Sequence, residues 1–107
     1  MTAATITTTH YEGKEIRIER SEYADPFACS CAVLAYVEPG EELYDVLSVN
    51  LSGYMTTGEN RFFVKEDTIA RGLIGHLEAE GIISPTGVYA RYGSFDSIAR
   101  EYELHDR

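Results

Sequence analysis

One stretch of this chain, residues 68–80, carries apolar side chains at the spacing an amphipathic helix needs. Elsewhere the pattern is short and alternating. Ile69, Leu73, Ile74 and Leu77 form the helical stripe. Asp67 or Thr68 supplies an N-cap, and Gly81 a stop. A chain of 107 residues with one such helix must build the rest of its core from strands. The fold class predicted is therefore α+β: an antiparallel, meander-like sheet of about five to six strands packed on one main helix. The length fits one domain, residues 1–107.

The strands follow from alternation and turn chemistry. Segments 6–11 and 14–20 flank Glu12-Gly13, and in the second Ile16 and Ile18 alternate with Glu15, Arg17 and Glu19. Segment 28–37 is apolar on both faces and reads as central. Pro39-Gly40 turns the chain within 38–41. Segment 43–51 places Leu43, Leu47, Val49 and Leu51 on one face, with Asp45 near its start. A polar loop over 52–60 leads to a short strand over 61–65. After the helix, 82–87 turns the chain and 88–92 reads as an edge strand. Ile98, Tyr102 and Leu104 fit either a short helix or a last strand over 97–104. Gly72 and Gly75 lie inside the helix on a flank shared with Ala79. Each costs about 1 kcal/mol relative to alanine, which points to close packing against the sheet or to the approach of a partner helix.

Charge narrows the function classes. Nine Lys and Arg face eighteen Asp and Glu, a net charge of −9. The bases are scattered singly, which argues against binding nucleic acid directly and against an anionic membrane surface. A basic protein surface is the partner such a chain would attract. The excess is uneven: residues 38–81 hold three bases and nine acids. No apolar run reaches membrane-spanning length, and the opening residues have neither a basic nor an apolar leader region. A cytoplasmic location is the expectation.

Chemistry-bearing constellations are sparse. Cys29 and Cys31 form a C-x-C within a strand pattern. Side chains at i and i+2 of a strand are nearly parallel, which suits a disulfide poorly, so both read as small buried apolar groups. A zinc site would need two of His10, His76 and His105 to complete it, and none stands at a ligand spacing. Phosphate-loop, dinucleotide, zinc-protease and serine-hydrolase motifs do not occur. The carboxylate pairs Glu41-Glu42, Glu66-Asp67 and Glu78 with Glu80 fall on turns and helix ends. No catalytic, cofactor-binding or metal-binding residue is therefore assigned, and no cofactor is expected. Eight tyrosines and no tryptophan are the other oddity. Tyr36 and Tyr44 flank the acidic turn, and Tyr54 sits in the following loop. Together with Glu38, Glu41, Glu42 and Asp45 they form a partner-binding set suited to arginine-rich surfaces.

Residues 47–51 (Leu-Ser-Val-Asn-Leu), the helix end at 80–83 (Glu-Gly-Ile-Ile) and the turn at 84–88 (Ser-Pro-Thr-Gly-Val) carry a further signal. So do 91–94 (Arg-Tyr-Gly-Ser) and 102–104 (Tyr-Glu-Leu). Over about residues 14–104 this order of motifs resembles a small bacterial family of unknown function found on phages, plasmids and conjugative elements. The chain departs from that pattern at 88–91 and 94–98. The resemblance implies a setting, an accessory protein of a mobile element, and no catalytic residues. With the acidic middle third, it leads to the expectation of a non-enzymatic modulator or inhibitor of a host protein. An anti-CRISPR protein occupying a nucleic-acid channel is its sharpest form. A self-associating adaptor, a homodimer through an edge strand or the Gly72/Gly75 flank, is the alternative reading. A metal- or thiol-dependent enzyme built on Cys29 and Cys31 is a third.

Overall fold

The first four strands follow one another as a meander. In the computed structural model, which describes residues 4–23, 31–38, 42–51, 56, 60–66, 68 and 70–105, they form an antiparallel sheet in chain order. These strands are β1 (Ala4–Tyr11), β2 (Lys14–Glu22), β3 (Cys31–Val37) and β4 (Glu42–Val46). The β1–β2 turn is the two-residue loop expected at Glu12-Gly13. Both residues have positive φ, 52° and 77°, the hand that matches the strand twist. Ile16 pairs with Val37 and Ile18 with Ala35, so one face of this sheet is apolar and turns inward.

The chain then forms β5 (Arg61–Lys65), α1 (Arg71–Ala79), β6 (Ile83–Tyr92) and β7 (Ser97–Leu104). These strands make a second antiparallel sheet in the order β5-β7-β6. The main core lies between the inner face of the first sheet, α1 and one face of the second. Its members include Ile16, Ile18 and Val33, Leu73 and Leu77, and Phe62, Ile83 and Leu104. Fully burying a side chain of this size contributes about 1.5–3 kcal/mol, so these contacts hold the layers together. On the far face of the second sheet, Leu51, Phe63 and Ala99 form a smaller cluster.

An antiparallel sheet fold with one helix is what the pattern predicted, but the architecture differs in four places. First, among the described residues seven strands are divided between two sheets rather than joined in one. Second, β4 ends at Val46 instead of running to residue 51. Leu47, Val49 and Leu51 look like one strand face, yet Leu47 enters the main core while Leu51 and Val49 join the smaller one. A single bridge, Val49 to Phe63, marks where the chain crosses between sheets.

Third, α1 begins at Arg71, with Ala70 at the N-cap and no side-chain cap bond. The Thr68 hydroxyl accepts the Ala70 amide at 3.3 Å, a local turn that precedes the helix, and Asp67 lies outside the described residues. The predicted stop holds. Gly81, at φ 76°, donates to the Glu78 carbonyl at 3.1 Å, and Ile82 donates to the Leu77 carbonyl at 2.9 Å. This double bond pattern needs a left-handed residue after the C-cap, which glycine supplies.

Fourth, residues 83–87 of the turn expected at 82–87 lie inside β6. Pro85 is tolerated because β6 is an edge strand, and the register shifts between Pro85 and Tyr89, where Gly87 has φ 88°. The ambiguous segment 97–104 is β7, the central strand of its sheet. Among the described residues, no helix is long and apolar enough to cross a membrane.

Candidate functional site

The structure places the expected partner-binding residues around the end of β3 and along β4, but on different surfaces. Tyr36 and Leu43 are cross-strand partners, as are Leu34 and Val46. All four belong to the face turned away from the main core, because Val33 and Ala35 point inward. The register shifts between Ala35 and Tyr36, and Tyr44 falls in that irregularity. Its ring consequently packs against the main core, away from Tyr36, with its hydroxyl 3.5 Å from a Glu12 carboxylate oxygen. Partial burial, followed by the Glu12 charge, pushes its phenol above the ordinary tyrosine range.

The carboxylates are also divided. Arg17 donates to Glu38, and its Nε donates to Glu19 at 2.6 Å. The same guanidinium lies 4.9 Å from the centre of the Tyr36 ring. Glu38 is thus already engaged by a cation of its own chain. Asp45 accepts the backbone N–H of Val46 at 2.8 Å. Glu42 is exposed at the start of β4. Glu41 and Tyr54 lie outside the described residues.

Three other groupings were not legible as units in the sequence. Thr9, on β1, donates from its hydroxyl to Glu80 at 2.6 Å and lies 2.9 Å from His76 Nε2. A threonine hydroxyl has one proton, so with that proton on Glu80 the imidazole must donate to the oxygen. An activated nucleophile needs the opposite direction. The geometry ties β1 to α1, and the Tyr11 ring packs 5.3 Å from His76 beside it. Sixty-seven residues separate Thr9 from His76, so spacing could not reveal the contact.

Glu101 is 0% exposed, on the second sheet. It accepts from the Thr86 hydroxyl at 2.6 Å, and Arg61 Nη1 stands 3.7 Å away. A buried carboxylate held by a cation and a hydroxyl meets the requirement that buried charge be paired. Phe95, at the β6–β7 turn, is 94% exposed.

Near the start of α1 a cavity of about 50 Å³ is lined by residues that include Lys65, Glu66, Arg71, Arg100 and Tyr102. Glu66 holds Arg100 there through two bonds of 3.0 and 2.7 Å. This space is water-sized, well below the several hundred Å³ of ordinary ligand pockets.

Of the two cysteines, Cys29 lies outside the described residues. Cys31 is a buried free thiol at the start of β3, directed at the Arg61 carbonyl at 3.6 Å. Burial raises its pKa, against the partial opposition of Arg20. Among the described residues, no three His, Cys, Asp or Glu side chains converge in a way that could hold a metal ion. Comparison with protein-family models, curated proteins and solved structures finds no match for this chain.

Proposed function

We propose that this chain is a non-enzymatic protein-binding domain that engages a basic surface of a host protein through its acidic middle third. The observation that carries this reading is the charge distribution: nine acids against three bases over residues 38–81, within a total of −9. Carboxylates so arranged accelerate encounter with a basic partner and disfavour anionic ones. The motif resemblance supports the setting, a mobile genetic element. There, an acidic inhibitor would compete with nucleic acid for a nucleic-acid-handling complex, as an anti-CRISPR protein does.

The structure refines which residues should test it. Glu38 and Asp45 hold local structure, so reversing their charge would confound binding with folding. Glu42 and Glu78 are exposed within the acidic third, and charge reversal there tests it more cleanly. The tagged chain and its E42K/E78K variant would be used to capture proteins from a bacterial lysate at low and high salt. The expected result is a basic nucleic-acid-handling complex that wild type retains at low salt and that both high salt and the variant release. Retention unchanged by salt and by the substitutions would refute the proposal.

A further inference from the structure

Among the described residues, five large apolar side chains are exposed: Val88 and Tyr89 on β6, Phe95 in the turn after it, and Leu43, 49% exposed, and Val46, 43% exposed, on β4. With their cross-strand partners Tyr36 and Leu34, Leu43 and Val46 make a continuous apolar stripe along the outer face of β3 and β4. Arg17 and Glu19 lie beside it, paired with Tyr36 and Leu34 across β2 and β3, and Glu15 shares their face by alternation. With Glu38, that face carries three carboxylates and one guanidinium.

We propose that this β3–β4 face docks an arginine-bearing amphipathic segment of a partner protein. The partner's apolar side chains cover Leu34, Tyr36, Leu43 and Val46, and its guanidinium groups meet the surrounding carboxylates. This names the contact surface and partner chemistry for the acidic-docking reading above and rests on it.

Charge selects the occupant. A second copy of this chain would bring Glu15, Glu19 and Glu38 against their own counterparts, and each chain carries −9. A cationic segment turns the same repulsion into attraction. Contact through side chains is favoured over addition of a strand. The Asp45 carboxylate takes the Val46 amide at 2.8 Å, and the register shift at Tyr36 distorts the edge. Arg17 displays what the face offers a guanidinium: carboxylates from Glu19 and Glu38, and the Tyr36 ring at 4.9 Å.

The test is an NMR titration of the full chain, isotope-labelled, at low salt. The probe is a short synthetic helical peptide with arginine on one face and leucine on the other. A control peptide keeps the arginines and replaces leucine with serine. The expected result is shifts at the amides of Tyr36, Leu43 and Val46, with the leucine peptide binding more tightly than the serine peptide. L43S/V46S should weaken the leucine peptide roughly tenfold or more. Both positions are exposed, and Val46→Thr, which keeps a β-branched side chain, serves as a second variant should the double one lose its fold.

Three results would overturn the assignment and leave acidic docking standing: shifts confined elsewhere, such as around Phe95; equal affinity for the two peptides; or affinity unchanged in L43S/V46S. Failure of both peptides to bind would count against acidic docking itself. A wild-type dimer in sedimentation that L43S/V46S dissociates would show that a second copy, rather than a cationic partner, occupies the face.

Discussion

Gly72 and Gly75 look alike in sequence, both inside a helix and both on the side of Ala79, yet their surroundings are opposite. A β-carbon at Gly72 would come 2.2 Å from the Tyr11 hydroxyl oxygen, whereas one at Gly75 would meet nothing within 4 Å. Gly72 therefore permits a close approach of β1 to α1, and Gly75 does not. Gly75→Ala should stabilise the protein by about 1 kcal/mol through helix propensity alone. Gly72→Ala gains the same propensity but displaces Tyr11 from its place beside His76, and should be net destabilising. In a Tyr11→Phe background the obstructing oxygen is gone and the next atom is an ordinary 3.5 Å away, so Gly72→Ala should become stabilising there. Urea denaturation of these variants would decide it, and equal gains at both glycines in wild type would contradict the packing account.

The central strand of the second sheet is the element that sequence patterning served least. Segment 97–104 has apolar residues that suit a helix or a strand, and its fully buried Glu101 fits neither pattern. The placement follows from pairing with β5 on one side and β6 on the other, which brings Arg61 and Thr86 to that carboxylate. Arg61→Met removes a cation from beside a buried charge and should cost about 3 kcal/mol. Glu101→Gln in the same chain should recover part of this loss, because the charge needing a partner is gone. Denaturant midpoints for the singles and the double variant form the required cycle. If the double variant is as unstable as the sum of the singles, the two side chains are not coupled. The hairpin turn at Glu12-Gly13 and the helix stop at Gly81, by contrast, were legible, since each depends only on a positive φ that a few neighbouring residues specify.

At the scale of the whole molecule, several weak acids share one bias. Burial, first among the causes, pushes the phenols of Tyr23, Tyr44 and Tyr102 above 10.0 and the Cys31 thiol above 9.0. The folded chain thus holds these protons more tightly than the unfolded chain does. Their contribution to stability is complete below the ordinary thiol value and is lost as pH rises through 9 and 10 and past the raised values. Denaturation midpoints measured from pH 8 upward should fall on the alkaline side. Tyr23→Phe, which cannot ionise, should flatten part of that fall, and a midpoint that rose with pH would contradict the sign.

The sequence by itself determined the one helix and its glycine stop, the first hairpin, the alternation of β2 and the acidic excess of the middle third. Each is set by spacing, turn chemistry or composition within a short stretch of chain. Only the tertiary structure decided that the strands divide between two sheets, that Leu47 parts from Val49 and Leu51, and that β7 is central. It also turned Tyr36 outward and Tyr44 inward, and gave Glu38 to Arg17. Which strands pair, and which faces they bury, depends on residues tens of positions apart that must exclude water together, and no local period carries that information.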